Sequence, residues 1–344
     1  METQAQPAAQ TELPPQAVIM QLAMGAMVTQ AMFVAAKLGV ADILADSEKH
    51  IDEISRKAGA HSPSLYRIMR SLASLGIFTE TQSRTFANTP LSQVLRAEVP
   101  GSMRNSMIFM GEPWHYNVWA SMLHSARTGG PAWKETHGVE VFDWFSKNPE
   151  ASEIFNGCMS ELSAGAAPAI VAAYDFSGID TLADIAGGHG FLLSQILKAN
   201  PKMKGILFDM ERVVAGAGEM LRAFGVEDRV ETVSGDFFSE VPEADAYIMK
   251  HIIHDWDDER AIKILQTIHR AMKAEGKLLL SEMVIPEGND PHPGKMLDLE
   301  MLTSAGGVER TEAEYADLFE RSGFRLNRIV PTMSPHSVIE AVKA

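Results

Sequence analysis

Residues 182–191, Leu-Ala-Asp-Ile-Ala-Gly-Gly-His-Gly-Phe, constrain the fold more than any other stretch of the chain. The apolar run closed by Asp184 predicts a buried strand. Gly187, Gly188 and Gly190 then let backbone approach a ligand with no Cβ in the way. Phe191, Leu192, Leu193, Ile196 and Leu197 come next at helical spacing, and Asn200-Pro201 ends that helix. Strand, glycine turn and helix form the opening unit of a doubly wound nucleotide-binding sheet. A Gly-x-Gly turn is also a common tight turn, so the next strand carries weight. Residues 205–208 read as that second strand, ending in Asp209, about twenty residues on, where such folds place an acid on ribose hydroxyls. NAD and S-adenosylmethionine both carry that ribose, and Asp209 does not choose between them.

Length and charge set the bounds. At 344 residues the chain has room for two domains with separate cores. A hydrophobic content of 46% with 22% charged residues is that of a soluble globular protein. The net charge of −15 excludes an extended phosphate-binding surface, which needs clustered Lys and Arg, and disfavours an anionic membrane surface. No apolar run of ~18 residues and no signal-peptide pattern is read from the sequence. A single cysteine, Cys158, leaves no internal disulfide and no Cys cluster for a metal. The expected compartment is the cytoplasm.

Residues 1–15, rich in Gln, Ala and Pro, read as a disordered tail. Residues 16–38 carry Val18, Ile19, Leu22, Met27, Met32 and Phe33 at helical spacing, and an apolar helix ahead of the first compact unit suits a subunit contact better than a fold back on its own domain. Residues 38–86 read as a winged helix, with helices at 51–58 and 62–75 and wing strands at 76–80 and 85–87. That pattern raises a DNA-binding regulator, but the third helix offers only Arg67 and Arg70 as cations among Glu48, Asp52, Glu53 and Glu80, so packing is the better use. Residues 91–148 are mostly helical and aromatic. Most of those rings must be core, with Phe109, Met110 and Trp114 beside Gly111 as candidates to face a flat substrate. The expected domains are therefore 16–148, helical and dimerising, and 149–344, the nucleotide-binding domain.

The second domain alternates strand and helix, with strands at 182–185, 205–208, 230–234, 246–249 and 277–281, and a helix at 213–224. Thr311 and Glu314 predict a capping box, Gly323 the C′ position of that helix, and 324–330 with 338–342 a closing antiparallel ribbon. The fold class is α/β, a Rossmann-like sheet with a C-terminal antiparallel strand behind a winged-helix dimerisation domain. Three motifs fall just after strands, the edge where open α/β sheets bind ligands. These are Gly235-Asp236-Phe237-Phe238, Lys250-His251-Ile252-Ile253-His254-Asp255-Trp256 and Ser281-Glu282-Met283. Asp236 suits an adenine amino group or ribose with Phe237 over the ring, or, equally, a solvated turn.

With those motifs and Gly306-Gly307-Val308-Glu309-Arg310-Thr311, the chain resembles the caffeate/flavonoid-type O-methyltransferases, the plant and bacterial small-molecule family with hydroxyindole-type members. The resemblance covers nearly the whole chain. It implies S-adenosylmethionine as donor, held by Gly187, Gly188, Asp209, Asp236, Phe237 and Lys250, with Met159 and Ser163 from an upstream helix. It implies a homodimer, His254 as base, and Asp255, Glu282 and Glu309 as the acids around it. Met296 and Met301 match a pocket-lining region. Where members often have three glycines, this chain has Ala186-Gly187-Gly188, and the turn is kept if Ala186 sits at negative φ.

The residues support that chemistry on their own terms. Methyl transfer from a sulfonium needs no metal, only an oxygen aligned with the methyl and a group to take its proton. A His at a strand end is more often a satisfied core residue, and it is the location and the resemblance that favour the base. Asp255, Asp257 and Asp258 invite a metal, but Asp257 or Asp258 as helix N-cap explains them better, and no metal is expected. The competing functions are a hydroxylase or decarboxylase using the same cofactor site, a winged-helix regulator and a nicotinamide dehydrogenase.

Overall fold

The computed structural model describes residues 13–344, so the tail expected at 1–15 lies mostly outside the described residues. The chain forms two compact units that part between Glu112 and Pro113. Contacts group residues 113–147, which sequence reading places with the N-terminal domain, with the second unit.

The first unit opens with α1 (Pro15–Ala23) and α2 (Gly25–Lys37). Met24 between them keeps helical dihedrals, so Pro15–Lys37 is 23 residues of helix, with a mean hydropathy of 1.7 over its most apolar 18-residue window. By length and composition that is enough to cross a membrane, which corrects the expectation that no such stretch exists. Gln16, Gln21, Thr29 and Gln30 interrupt the run in sequence, but none carries a charge, and the helix continues through all of them. α1 buries no side chain, whereas α2 buries Ala35 and Ala36. Downstream come α3 (Val40–Ile43), β1 (Lys49–His50), α4 (Ile51–Ala58), α5 (Ser62–Ser74), β2 (Phe78–Gln82), β3 (Thr85–Asn88), α6 (Pro90–Gln93) and α7 (Arg104–Gly111). The strands form an antiparallel sheet of order β1-β3-β2 on α3–α5, the winged-helix arrangement read from the sequence. Val40, Ile54, Leu65, Met69, Leu72, Phe78 and Phe86 close its core. α2 packs on α7, and the ring of Phe33 fills the place a Cβ on Gly111 would take.

The second unit begins with α8 (Pro113–Ala120), α9 (Met122–Thr128), α10 (Ala132–His137), α11 (Val141–Lys147) and the long α12 (Pro149–Ala173). Then alternate β4 (Thr181–Ile185), α13 (Phe191–Ala199), β5 (Lys204–Asp209), α14 (Glu211–Val214), α15 (Gly218–Phe224), β6 (Val230–Ser234), β7 (Ala246–Lys250), α16 (Asp258–Ala271) and β8 (Lys277–Glu282). α17 (Gly294–Thr303), α18 (Glu312–Arg321), β9 (Phe324–Pro331) and β10 (Ser337–Lys343) close the chain. The helix expected at 213–224 is two helices, because Ala215-Gly216-Ala217-Gly218 puts two poor helix formers at its middle. Thr311 and Glu314 do form a capping box, and Gly323 lies just past the end of α18 at φ 84°.

The sheet has seven strands in the order β6-β5-β4-β7-β8-β10-β9, with β4–β8 parallel and the last two antiparallel. Two apolar layers cover it. Leu265, Ile268, Leu318 and Phe319 of α16 and α18 lie in one, and Ile170, Leu193, Ile196 and Leu221 of α12, α13 and α15 in the other. Because β10 runs against β8, pairing Ser337 with Glu282, its beginning lies at the edge where the parallel strands end. The site is assembled at that edge.

Candidate active site

At the end of β4 the glycine turn is built around two carboxylates. Asp209, ending β5, accepts from the amides of Gly188 at 2.9 Å and Met210 at 2.7 Å. Asp184 is fully buried beneath the turn, and a Cβ on Gly187 would come within 2.6 Å of its carboxyl and of Leu207. Gly187 is thus required by packing, while a Cβ on Gly188 would meet open space, the side from which a ligand can reach the backbone. Ala186 adopts φ 56°, correcting the expectation of negative φ. Its amide donates to the carbonyl of Phe208 at 2.7 Å, a bond between strand ends that holds a non-glycine residue in the left-handed region.

The second half of the site lies just past β7. His254 sits in a short 3-10 turn, Ile253–Asp255, and is buried. Its Nδ1 lies 2.5 Å from Oε1 of Glu309, 3.8 Å from Oε2 of Glu282, and its Nε2 3.6 Å from Oδ1 of Asp255. The four residues expected around the proton are therefore together. Glu282 does a second task, because its Oε1 accepts the amides of Ile252 at 3.1 Å and Ile253 at 3.0 Å and so holds the turn.

Glu309 arrives on a segment pressed against that turn. The amide of Val308 donates to the carbonyl of His254 at 2.8 Å. A Cβ on Gly307 would overlap that carbonyl oxygen and come within 2.8 Å of Asp255 Cα, so only glycine fits. The buried guanidinium of Arg310 donates to the carbonyls of Trp256 at 3.0 Å and Val308 at 3.1 Å and to Asp258 at 2.9 Å. Asp298 of α17 accepts the amide of Glu309 at 2.8 Å.

Comparison with known proteins decides what this arrangement belongs to. The family model of the O-methyltransferase domain matches residues 119–325, and that of the O-methyltransferase dimerisation domain matches residues 20–98. The chain is 47% identical over 330 residues to the phenazine O-methyltransferase PhzM of Lysobacter antibioticus, covering 96% of each. It is 36% identical to the mitomycin biosynthesis 6-O-methyltransferase of Streptomyces lavendulae, covering 93% of this chain and 92% of that one. The structure of human N-acetylserotonin methyltransferase in complex with SAM superposes with a TM-score of 0.89 at 27% identity, covering 98% and 99%. The chain belongs to the S-adenosylmethionine-dependent O-methyltransferases.

In this O-methyltransferase the site's charge balance is set by burial. Burial pushes Glu309 up to about 8, helped by Asp298 and opposed by Arg310. It pushes Asp184 up to about 7, and Asp255 and Glu282 each to about 6. Lys250, ending β7, is held below the usual lysine range by burial, against the pull of Glu282, Asp184 and Asp255. The methyltransferase has gathered four carboxyls where water is scarce, with one lysine among them.

The other expected residues are shared between the two units. Asp236 accepts from the amide of Phe238 at 2.9 Å and the hydroxyl of Ser239 at 3.4 Å, the turn-forming alternative to cofactor contact. Phe237 packs on Phe238 and Trp256. Met159 and Ser163 are half-buried on α12, with the Ser163 hydroxyl donating to the Met159 carbonyl at 2.7 Å. Phe109 and Met110 lie on α7 of the first unit. Trp114 packs in an aromatic cluster with Trp133, Trp144 and Phe145, at ring distances of 5.4–6.2 Å. Met301 is buried, and Met296 is 71% exposed on α17.

Asp257 caps α16 through the amide of Arg260 at 2.9 Å, and Asp258 pairs with Arg310 and Arg321, which accounts for both acids structurally. The metal-ligand types that do meet are His251, His254 and Glu282, with donor atoms within 4.8 Å of one another. Tetrahedral zinc with bonds of ~2.0–2.1 Å needs donors roughly 3.4 Å apart. The three would have to close in and surrender hydrogen bonds to Glu309, His336 and backbone amides. Sequence reading misses the tasks of Asp184, Gly307 and Arg310, though all three lie within its strand-end and glycine motifs. Asp298 and His336 carry no local signal.

Two outcomes are expected of this enzyme. Gly307→Ala displaces the His254 carbonyl and should lower turnover at least 10²-fold, the cost of misplacing a catalytic group by about 1 Å, while circular dichroism stays native. Stability should also fall between about pH 6.5 and 8. The unfolded chain releases the Glu309 proton above about 4.5, whereas the folded protein keeps it to about 8, so stability is lost as pH rises through that interval. Asp184 adds to the loss up to about 7. Buried His336, held down to about 3, acts oppositely only below the ordinary histidine value of 6.5. Urea unfolding of the cofactor-free protein should show a loss of up to ~1.4 kcal/mol per pH unit per group, and Glu309→Gln should flatten most of it above pH 7.

Proposed function

We propose that this enzyme transfers the methyl group of S-adenosylmethionine to a phenolic hydroxyl of a small fused-ring aromatic metabolite, with His254 as general base and Glu309 as the residue that positions it. The observation carrying this reading is the 2.5 Å approach of His254 Nδ1 to Glu309 Oε1 in a buried turn at the ligand-binding edge of the sheet. The phenazine and mitomycin enzymes among its relatives support the substrate class.

The cofactor supplies a methyl group bound to a sulfonium, already electrophilic. In this reading Gly187 and Gly188 give it backbone, Asp209 its ribose contact, and Asp236, Phe237, Lys250, Met159 and Ser163 the remaining wall. The open space beside Gly188 and the Asp209 carboxylate at the turn fit such a group. A phenol has a pKa of about 10 and an ordinary histidine about 6.5, so His254 does not ionise the substrate beforehand. It accepts the proton on Nε2 while the new O–C bond forms. That requires Nδ1 to carry a hydrogen donated to the Glu309 carboxylate, and Glu309 then stabilises the imidazolium. Because burial holds the Glu309 carboxyl up to about 8, the carboxylate this reading needs accumulates above that pH.

The dimerisation domain carries a second proposal, a homodimer related by a twofold axis. The family match begins at residue 20, inside the Pro15–Lys37 helix, and Leu22 and Met27 expose most of their surface within one chain. A partner subunit covering that face, in the cytoplasm, accounts for its apolar character without a bilayer. Light scattering should give a dimer for the full chain and a monomer for Leu22→Glu/Met27→Glu. A monomeric full chain at micromolar concentration contradicts the assembly.

The chemistry is tested with a hydroxyphenazine panel and mass detection of methylated product. His254→Ala should lower kcat by about 10²–10⁴, the worth of a positioned base, with S-adenosylhomocysteine affinity unchanged. The rise of kcat through about pH 8 should vanish with it. Near-normal turnover in His254→Ala across the pH range would exclude the mechanism.

A further inference from the structure

One cluster at the sheet edge is left unused by this mechanism. His251 comes directly after Lys250 at the end of β7 and adopts φ 54°, one of three non-glycine residues at positive φ among those described. Histidine tolerates that region better than most residues, but it is still a strained conformation, and such strain persists where surrounding contacts over-determine it. Those contacts are specific. The amide of His251 donates to the carbonyl of Ser281 at 3.2 Å. Its ring stacks on the ring of His254, with centroids 4.6 Å apart and planes 15° from parallel. Its Nε2 lies 2.5 Å from Nε2 of His336. His336 is buried in turn and immediately precedes β10, whose antiparallel course brings it to this edge.

We propose that His251, anchored by His336, is a positioning residue that fixes the plane of the His254 ring and stabilises its protonated form. The reasoning is geometric. Glu309 holds His254 at a single atom, Nδ1, and one hydrogen bond leaves the ring free to tilt about that contact. A parallel ring against its face removes the tilt and keeps Nε2 on a constant line. The face of a neutral imidazole also attracts a cation, so the stacked pair favours imidazolium in the transition state. That requires His251 to stay neutral. Burial together with His254, Lys250 and His336 holds His251 well below the ordinary histidine value, and burial with Lys250 and His254 holds His336 near 3. Lys250 on the same strand, Glu282 from β8, His336 before β10, and Asp255 and Glu309 complete the charged groups around the two rings.

The inference rests on His254 being the base, and the experiment separates the two. kcat and KM are measured against pH for the full-length enzyme, with saturating S-adenosylmethionine and one accepted hydroxyphenazine, in His251→Ala, His251→Phe, His336→Ala and His254→Ala. His251→Ala should lower kcat about 10–10²-fold, leave S-adenosylhomocysteine affinity within about twofold, and move the acid limb of the profile to lower pH by roughly half a unit. His251→Phe retains a flat ring and should recover part of the lost kcat. His336→Ala should show the same shift, smaller, and it carries the test if His251→Ala does not fold. A kcat and acid limb equal to wild type in His251→Ala or, failing that variant, in His336→Ala, overturns the proposal. So does a His251→Phe variant no better than His251→Ala. If His254→Ala keeps turnover, it is the base assignment that fails. If His254→Ala loses turnover and His251→Ala does not, only the positioning role fails.

Discussion

One backbone hydrogen bond, from the amide of Val308 to the carbonyl of His254, joins two segments that are more than fifty residues apart in sequence. Everything chemical in the site depends on that junction. It exists because Gly307 has no side chain, so the 306–310 segment can lie directly on the turn after β7. Arg310 then fastens the contact from the far side by reaching three backbone carbonyls, of Ile253, Trp256 and Val308. Glu309, between them, meets Nδ1 of His254 at 2.5 Å. The dyad is thus a consequence of backbone packing, and the side chains inherit their geometry from it.

Electrostatics make the arrangement costly and useful together. Three buried carboxyls, of Asp255, Glu282 and Glu309, lie near one histidine and are poorly solvated, so each holds its proton to higher pH than in water. That expense falls on stability, whereas in the proposed mechanism a His254 that becomes a cation gains from those carboxyls once they are ionised. Lys250 feels both halves of the edge, since Asp184 under the glycine turn and Glu282 beside His254 oppose the burial that lowers it.

Much of the fold is legible in the sequence because its signals are local. The strand, glycine turn and helix at 182–199, the acid at the end of β5 and the Thr311–Glu314 box each declare themselves within ten residues or so, and each is present. The meeting of His254, Asp255 and Glu282 is also legible, since they sit in strand-end motifs, and Glu309 lies in the Gly-Gly-Val-Glu-Arg-Thr segment. What fails depends on context. Ala186 takes positive φ because its amide is claimed by Phe208, a residue of the neighbouring strand. Asp298 and His336 are invisible because a helix and an antiparallel strand, far along the chain, deliver them to the edge.

The central claim is that Glu309 holds a hydrogen on Nδ1 of His254 so that Nε2 is free to take the substrate's proton. Nitrogen-15 NMR of histidine-labelled enzyme, saturated with S-adenosylhomocysteine at about pH 9, reads that tautomer directly. The account predicts a His254 signal with protonated Nδ1 and bare Nε2, shifting toward the other tautomer in Glu309→Gln. A wild-type His254 with its hydrogen on Nε2 at that pH would contradict it.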